Sequence, residues 1–349
     1  MKGARNMVRS QLRFLALVGA VLMIVAACGS TSSGSTAKQV KVGLVTDVGG
    51  LNDKSFNHLA YVGLQRAIAD FNVKGDVTES KTGDDYVPNL TNFASKGYDL
   101  VIGVGFLMQE AVGTVSGQFP NVHFAIIDGA GTDASGKDLA HSNVESLFFK
   151  EQDSGYMVGV LSGLLEKQSK APKNNHVIGG VGGISIPPVN HYLAGYKAGA
   201  TMEDPSIKVL IGYSNDFNDP AKCKSVATSQ IGQKADILFQ VAGGCGLGVL
   251  QAAGQAKVYS IGVDADQKDS DGSVIASALK KVDVATYTAI QGVVKGNFQS
   301  GALTFSIAND GAGYALDNLQ VSSDIQAELD KVLGEIKSGA ITPPADIPA

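Results

Sequence analysis

Groups able to hold a small molecule recur at one kind of place in this chain, the residues just after short β-branched runs. Asp47, Asn52 and Asp53 follow the run that ends at Thr46, and Gly105, Asp128, Phe217, Gly244 and Asp264 follow later runs. Carboxylates accept hydrogen bonds from hydroxyls, and glycines let backbone amides come close. Aromatic faces at Phe56 and Phe217 can sandwich a flat ring, so the mixture suits a neutral, polyhydroxylated ligand with an aromatic part. Each residue also has a plainer reading. Asp47 or Asp53 would serve as a cap for a helix beginning near Phe56, and an isolated Phe ordinarily belongs to a core. Both phenylalanines, however, follow strand ends in polar, glycine-rich loops, one in each half of the chain.

The elements that must position these groups are repeated βα units. Strands are predicted over Val40–Thr46, Leu100–Val104, His123–Asp128, Asn143–Phe149, Val177–Val181, Lys208–Tyr213, Ile237–Val241 and Val258–Val263. Between them lie stretches of helical period: Ala60, Leu64, Ala67, Ile68 and Phe71 share one face, and Asp153–Lys167 and Val282–Gly296 read similarly. Alternation of this kind gives an α/β fold of parallel sheets covered by helices. In such sheets ligands bind beyond the carboxyl ends of the strands, where the polar loops fall. No repeat of fixed length is visible.

Signatures of catalysis are missing. The runs starting at Gly103 and Gly244 lack the third glycine of a dinucleotide fingerprint. No nucleophile elbow, H-E-x-x-H or C-x-x-C occurs, and the five histidines are scattered. The acidic loop Asp264–Gly272 fails as a calcium loop, with Lys268 at the third ligand position and Ile275 where a bidentate Glu belongs. It reads as a solvated turn, and neither a metal nor a cofactor is expected.

The N-terminus predicts export. Lys2, Arg5, Arg9 and Arg13 precede the apolar run Phe14–Ala27, which is 14 residues long and too short to span a bilayer. The run ends in Val25-Ala26-Ala27-Cys28, which resembles a bacterial lipobox. Residues 1–27 are expected to be a signal peptide, Cys28 the lipidated residue (palmitate among its acyl groups), and 28–38 a Gly/Ser/Thr tether. Loss of four basic residues with the leader takes the formal charge from −5 to −9, and an acidic body without basic patches argues against nucleic acid. The remaining 322 residues are too many for one compact core and suit two lobes. Outside the cytoplasm, Cys223 and Cys245 are either bridged or two buried thiols.

The string Asp47-Val48-Gly49-Gly50-Leu51-Asn52-Asp53-Lys54-Ser55-Phe56-Asn57 resembles the basic membrane protein family of solute-binding lipoproteins. So do Gly97–Phe106, Gly195-Tyr196-Lys197-Ala198-Gly199, Asp219-Pro220-Ala221-Lys222, Gly243–Gly248 and Ile261–Gln267, and the resemblance covers nearly all of Val40–Ser338. Characterised members look like purine nucleoside receptors of ATP-binding cassette importers. The resemblance implies a type I periplasmic-binding-protein bilobe, two doubly wound parallel-sheet lobes joined by a hinge. Residues 39–148 and 279–303 would form the N-terminal lobe, 149–278 and 304–342 the C-terminal lobe, and 343–349 a loose tail. It further implies that Phe56 and Phe217 stack on a purine, that Asp47 accepts from the base edge, and that Asp128, Asp264 and Lys280 hold the ribose. Asn52, Asp53, Gly105 and Gly244 would line the same pocket. Partners would be a purine nucleoside, permease subunits, and the outer face of a bacterial cell membrane reached through Cys28, with the receptor itself a monomer. A receptor for another polar solute (sugar, nucleobase or signalling molecule) is the alternative reading; a nucleoside-cleaving hydrolase would need an activated nucleophile or metal cluster, and a surface antigen would not need Phe56, Phe217, Asp128 and Asp264. Cys223 stands where the family usually has a small residue, and Cys245 where it has Ser or Thr. Placed after neighbouring strands, the two are expected to bridge beside the pocket and fix the loop carrying Phe217.

Overall fold

A computed structural model describes residues 39–347; the expected signal peptide, Cys28 and tether lie outside the described residues. Two six-stranded sheets of equal strand rank organise the chain. The first contains β1 (Lys41–Thr46), β2 (Lys74–Glu79), β3 (Leu100–Val104), β4 (His123–Ile127), β5 (Val144–Phe149) and β11 (Gly301–Phe305), in the order β11-β5-β4-β3-β1-β2 and wholly parallel. The second contains β6 (Val177–Gly182), β7 (Lys208–Tyr213), β8 (Ile237–Val241), β9 (Tyr259–Asp264), β10 (Val274–Lys280) and β12 (Ala312–Leu316), in the order β12-β10-β9-β8-β6-β7. There β12 runs antiparallel to β10. The chain changes sheet after Phe149, Lys280 and Phe305, so three segments join the lobes.

The central strands are apolar because helices cover both faces. α1 (Phe56–Phe71) buries Ala60, Leu64 and Ala67 against the first sheet beside α8 (Val282–Val294). α2 (Tyr86–Ser95) and α3 (Gln109–Gln118) cover the other face. In the second lobe α4 (Glu151–Lys167), α5 (Pro187–Glu203) and α9 (Ser323–Ser338) cover one face, with α6 (Pro220–Gly232) and α7 (Leu247–Ala256) on the other. α4 and α5 press backbone to backbone: a Cβ on Gly159 would lie 2.3 Å from the Tyr196 carbonyl oxygen, and one on Gly195 2.1 Å from that of Gln152. These glycines act through close approach, which fixes where Tyr192 on α5 points. The segment expected as a tail returns Ile347, which packs on the second lobe's core.

Strands β2, β10, β11 and β12 are absent from the sequence reading. Lys-Gly-Asp-Val-Thr-Glu and Gly-Ala-Leu-Thr-Phe are half-exposed or exposed edges without alternation, and Val-Ile-Ala-Ser-Ala-Leu-Lys has a composition as fit for a helix.

Candidate functional site

A cavity lies between the lobes at the carboxyl ends of the central strands, where parallel α/β sheets bind their ligands. Asp47, Asp53, Phe56, Gly105, Asp128, Phe217, Asp264 and Lys280 all line it. Asn52 and Gly244, expected in the same wall, do not. Asn52 faces an outer cleft with Glu79, Lys81 and Asn218, and Gly244 lies where the lobes meet, a Cβ there falling 3.7 Å from Cα of Asp53. Position after a strand end brings a residue near the mouth without aiming it inward.

The first-lobe loop after β1 builds one wall. Asp47 is buried; its Oδ1 accepts from Gly49 N–H (2.8 Å) and Asn57 Nδ2 (2.8 Å), leaving Oδ2 without a protein donor. Gly105, at φ 118°, keeps that oxygen accessible, since a Cβ there would lie 2.9 Å from it. Burial pushes the Asp47 carboxyl up to about 6, against the opposing hydrogen bonds. Asp53 also faces the cavity, but its oxygens accept from the backbone N–H groups of Ser55, Asn57 and His58 at 2.7–3.1 Å. It therefore caps α1, the plainer of its two readings.

Across the cavity, Lys280 ends β10 with its ammonium 2.5 Å from Asp128 Oδ2 and 2.9 Å from Glu151 Oε1, all three side chains nearly sealed from water. Burial opposes the charge, yet Asp128, Glu151 and Asp264 together hold Lys280 above its ordinary value. Burial pushes Asp128 up to about 7 despite Lys280. Its Oδ1 is buried with no partner, an acceptor aimed at nothing in the protein. Asp264 accepts from Tyr192 Oη (3.0 Å) and Ser55 Oγ (2.7 Å), and burial raises its carboxyl as well. Asp128 and Asp264 both adopt the left-handed conformation, φ 67° and 61°, which Asp tolerates better than most residues and which turns each carboxylate off its strand.

The aromatic groups come from opposite lobes. Phe56 opens α1, with the Lys280 ammonium 5.1 Å from its ring centre. Phe217 lies over Gly183, where a Cβ would come within 2.3 Å of the ring. Cys223 and Cys245 are joined, fully buried, under this loop, and Cys245 N–H donates to the Phe217 carbonyl at 2.9 Å. Sequence reasoning missed Tyr192, which sits within α5, and Glu151, which follows β5 by two residues and opens α4. It also gave no role to Asn57, although that residue closes the quoted motif.

The family model described as ABC transporter substrate-binding protein PnrA-like (Bmp) matches residues 40–346. The chain is 32% identical to the ABC transporter nucleoside-binding protein BmpA of Lactococcus lactis subsp. cremoris over 357 residues, 95% of this chain and 97% of that one. It is likewise 32% identical to the CD4+ T-cell-stimulating antigen of Listeria monocytogenes, with 95% and 97% covered. A crystal structure of ABC transporter system solute-binding proteins from Aeropyrum pernix K1 superposes with a TM-score of 0.79 at 27% identity, covering 88% of this chain and 94% of that one. These matches agree with the two-lobed α/β fold, and the chain belongs to the PnrA-like (Bmp) family of ABC transporter substrate-binding proteins.

Proposed function

We propose that this protein is a lipid-anchored purine nucleoside receptor that encloses its ligand between the lobes and delivers it to an importer in the same membrane. The observation that carries the reading is the pairing of Asp128 Oδ1, a buried oxygen with no donor, with two aromatic rings from opposite lobes. A buried acceptor without a donor costs on the order of 1–3 kcal/mol, which a ligand hydroxyl or ring N–H recovers. In this reading the base lies between Phe56 and Phe217 with its edge toward Asp47 Oδ2. The ribose hydroxyls donate to Asp128 and Asp264, and Lys280 faces the ribose oxygens. The four carboxyl groups that line the cavity, Asp47, Asp53, Asp128 and Asp264, outnumber the one ammonium, which disfavours phosphorylated ligands.

The sequence Val25-Ala26-Ala27-Cys28 supports anchoring of the mature chain on the outer face of the membrane, with residues 28–38 as its tether. Relatives named lipoproteins in three Pyrococcus species, 32–33% identical, agree with that location. The test is calorimetry of purified protein with inosine, guanosine, adenosine, the free bases and ribose. Tight binding of a nucleoside over its base and over ribose supports the proposal; binding of sugars alone would replace it with a sugar receptor.

A further inference from the structure

Ser55 occupies the N-cap of α1, where a serine hydroxyl ordinarily accepts from the helix's free N–H groups. Here it makes no such bond, because Asp53, two residues earlier, accepts from the N–H groups of Ser55, Asn57 and His58. The freed hydroxyl, fully buried, turns across the cleft to Asp264 Oδ2 at 2.7 Å, with the Val263 carbonyl 3.2 Å away. Two more bonds cross from the second lobe to the same loop. Gln267 Nε2 donates to the Lys54 carbonyl at 3.4 Å, and Asn218 Nδ2 to the Val48 carbonyl. Gln267 is itself fixed by Gln240 Nε2 (2.7 Å) and by Val263 N–H (3.1 Å), so its reach to Lys54 is braced from within the second lobe.

We propose that loop 48–55 is the catch that holds the lobes shut, and that Ser55 is a positioning residue that orients the Asp264 carboxylate only in the closed form. The role of Asp264 as a ligand group rests on the nucleoside reading above; the catch does not. Ser55 does not line the cavity, so its contribution passes through Asp264 and through closure. Contacts that form only on closing slow escape of the ligand and leave its first encounter untouched.

The experiment measures association and dissociation rates of inosine and guanosine for wild type, Ser55→Ala, Ser55→Thr and Asn218→Ala. The closed fraction is read from energy transfer between labels at exposed Val62 and Met202, one on each lobe. Ser55→Ala is expected to speed dissociation about 10-fold, equal to about 1.4 kcal/mol, with association within 2-fold of wild type and a smaller closed fraction. Ser55→Thr restores the hydroxyl and the slow dissociation. Asn218, on the surface, gives a smaller change of the same kind. A Ser55→Ala protein that loses association rate instead, or keeps both rates and its closed fraction, overturns the proposal. If wild type binds neither nucleoside, the nucleoside reading fails while the ligand-free closed fractions still decide the catch: equal fractions in wild type and Ser55→Ala refute it.

Discussion

Replacing Lys280 by Met isolates the electrostatics of the cavity floor. The ammonium lies between Asp128 (2.5 Å) and Glu151 (2.9 Å), and its side chain is 3% exposed against 6% and 2% for its partners. Methionine keeps most of the volume, so the loss is almost purely of charge. Removing one partner of a buried ion pair costs about 3–5 kcal/mol, because the charge left behind finds no solvent. For a body of this size that lowers Tm by roughly 5–8 °C. Adding Asp128→Asn and Glu151→Gln to Lys280→Met removes the stranded charges and should recover at least half of the deficit. The deficit of Lys280→Met alone should also shrink toward pH 5, as the stranded carboxyls take protons. Thermal unfolding of wild type, Lys280→Met and the triple variant at pH 5 and pH 8 tests all of this. A Lys280→Met protein as stable as wild type at pH 8, or a triple variant with no recovery, would refute the account of a strongly coupled buried triad.

Base and sugar subsites should separate on mutation. Phe217→Ala should weaken nucleosides and free bases about 10-fold, from stacking and lost burial, while leaving ribose unchanged. Asp264→Asn should weaken nucleosides and ribose by about 10–100-fold, since bonds to a charged acceptor are worth about 1.5–3 kcal/mol; calorimetry that finds equal losses for all ligands in both variants contradicts the division. Asp47 and Asp128 are pushed up to about 6 and about 7. Between the unfolded carboxylate value near 4 and pH 7 the folded state therefore binds more protons than the unfolded one, and ligand-free stability falls as pH rises through that window. A denaturant midpoint no lower at pH 7.5 than at pH 5 would contradict those shifts. If the ligand donates to both carboxylates, its affinity falls as pH drops below 7, and titrations in buffers of different ionisation enthalpy should show proton release. Replacing both Cys223 and Cys245 by Ala opens a link across 22 residues of sequence. By chain entropy it should cost about 3 kcal/mol, and a nucleoside Kd that does not rise would show that the bridge does not steady the Phe217 loop.

The cavity lining was partly legible because parallel sheets put their carboxyl-end loops at one edge, so residues after β-branched runs include Asp47, Phe56, Asp128, Phe217 and Asp264 of that lining. The same rule overreached at Asn52 and Gly244, which share the loops but face outward or into the lobe contact. Tyr192 was out of its reach. It stands in the middle of α5, and its aim depends on how closely Gly155 and Gly195 let α4 and α5 approach, a tertiary distance that no local pattern encodes. Glu151 looks in sequence like an acid favouring a helix N-terminus; only the fold shows Lys280, 129 residues later, beside it. The unread strands lie mostly at sheet edges, where one face is wet and period-two patterning fades.

The equal strand order of the two sheets explains why one cavity carries two unlike halves. Asp47 follows β1 and Gly183 follows β6, strands of the same rank, and the two positions are used in opposite ways. In the first lobe the position holds a buried carboxylate supplied by Asn57. In the second it is left without a side chain, which lets the Phe217 ring settle where a Cβ would collide. Asp128 and Asp264, after strands of equal rank, keep the same left-handed backbone but differ in their partners. Asp128 accepts from Lys280 at the end of β10 in the second sheet and Asp264 from Ser55 of the first lobe, so each aspartate has a partner from the other side of the cleft. In an opened cleft Asp264 would lose Ser55 and keep Tyr192 of its own lobe, while Lys280 stands where the chain passes from one sheet to the other.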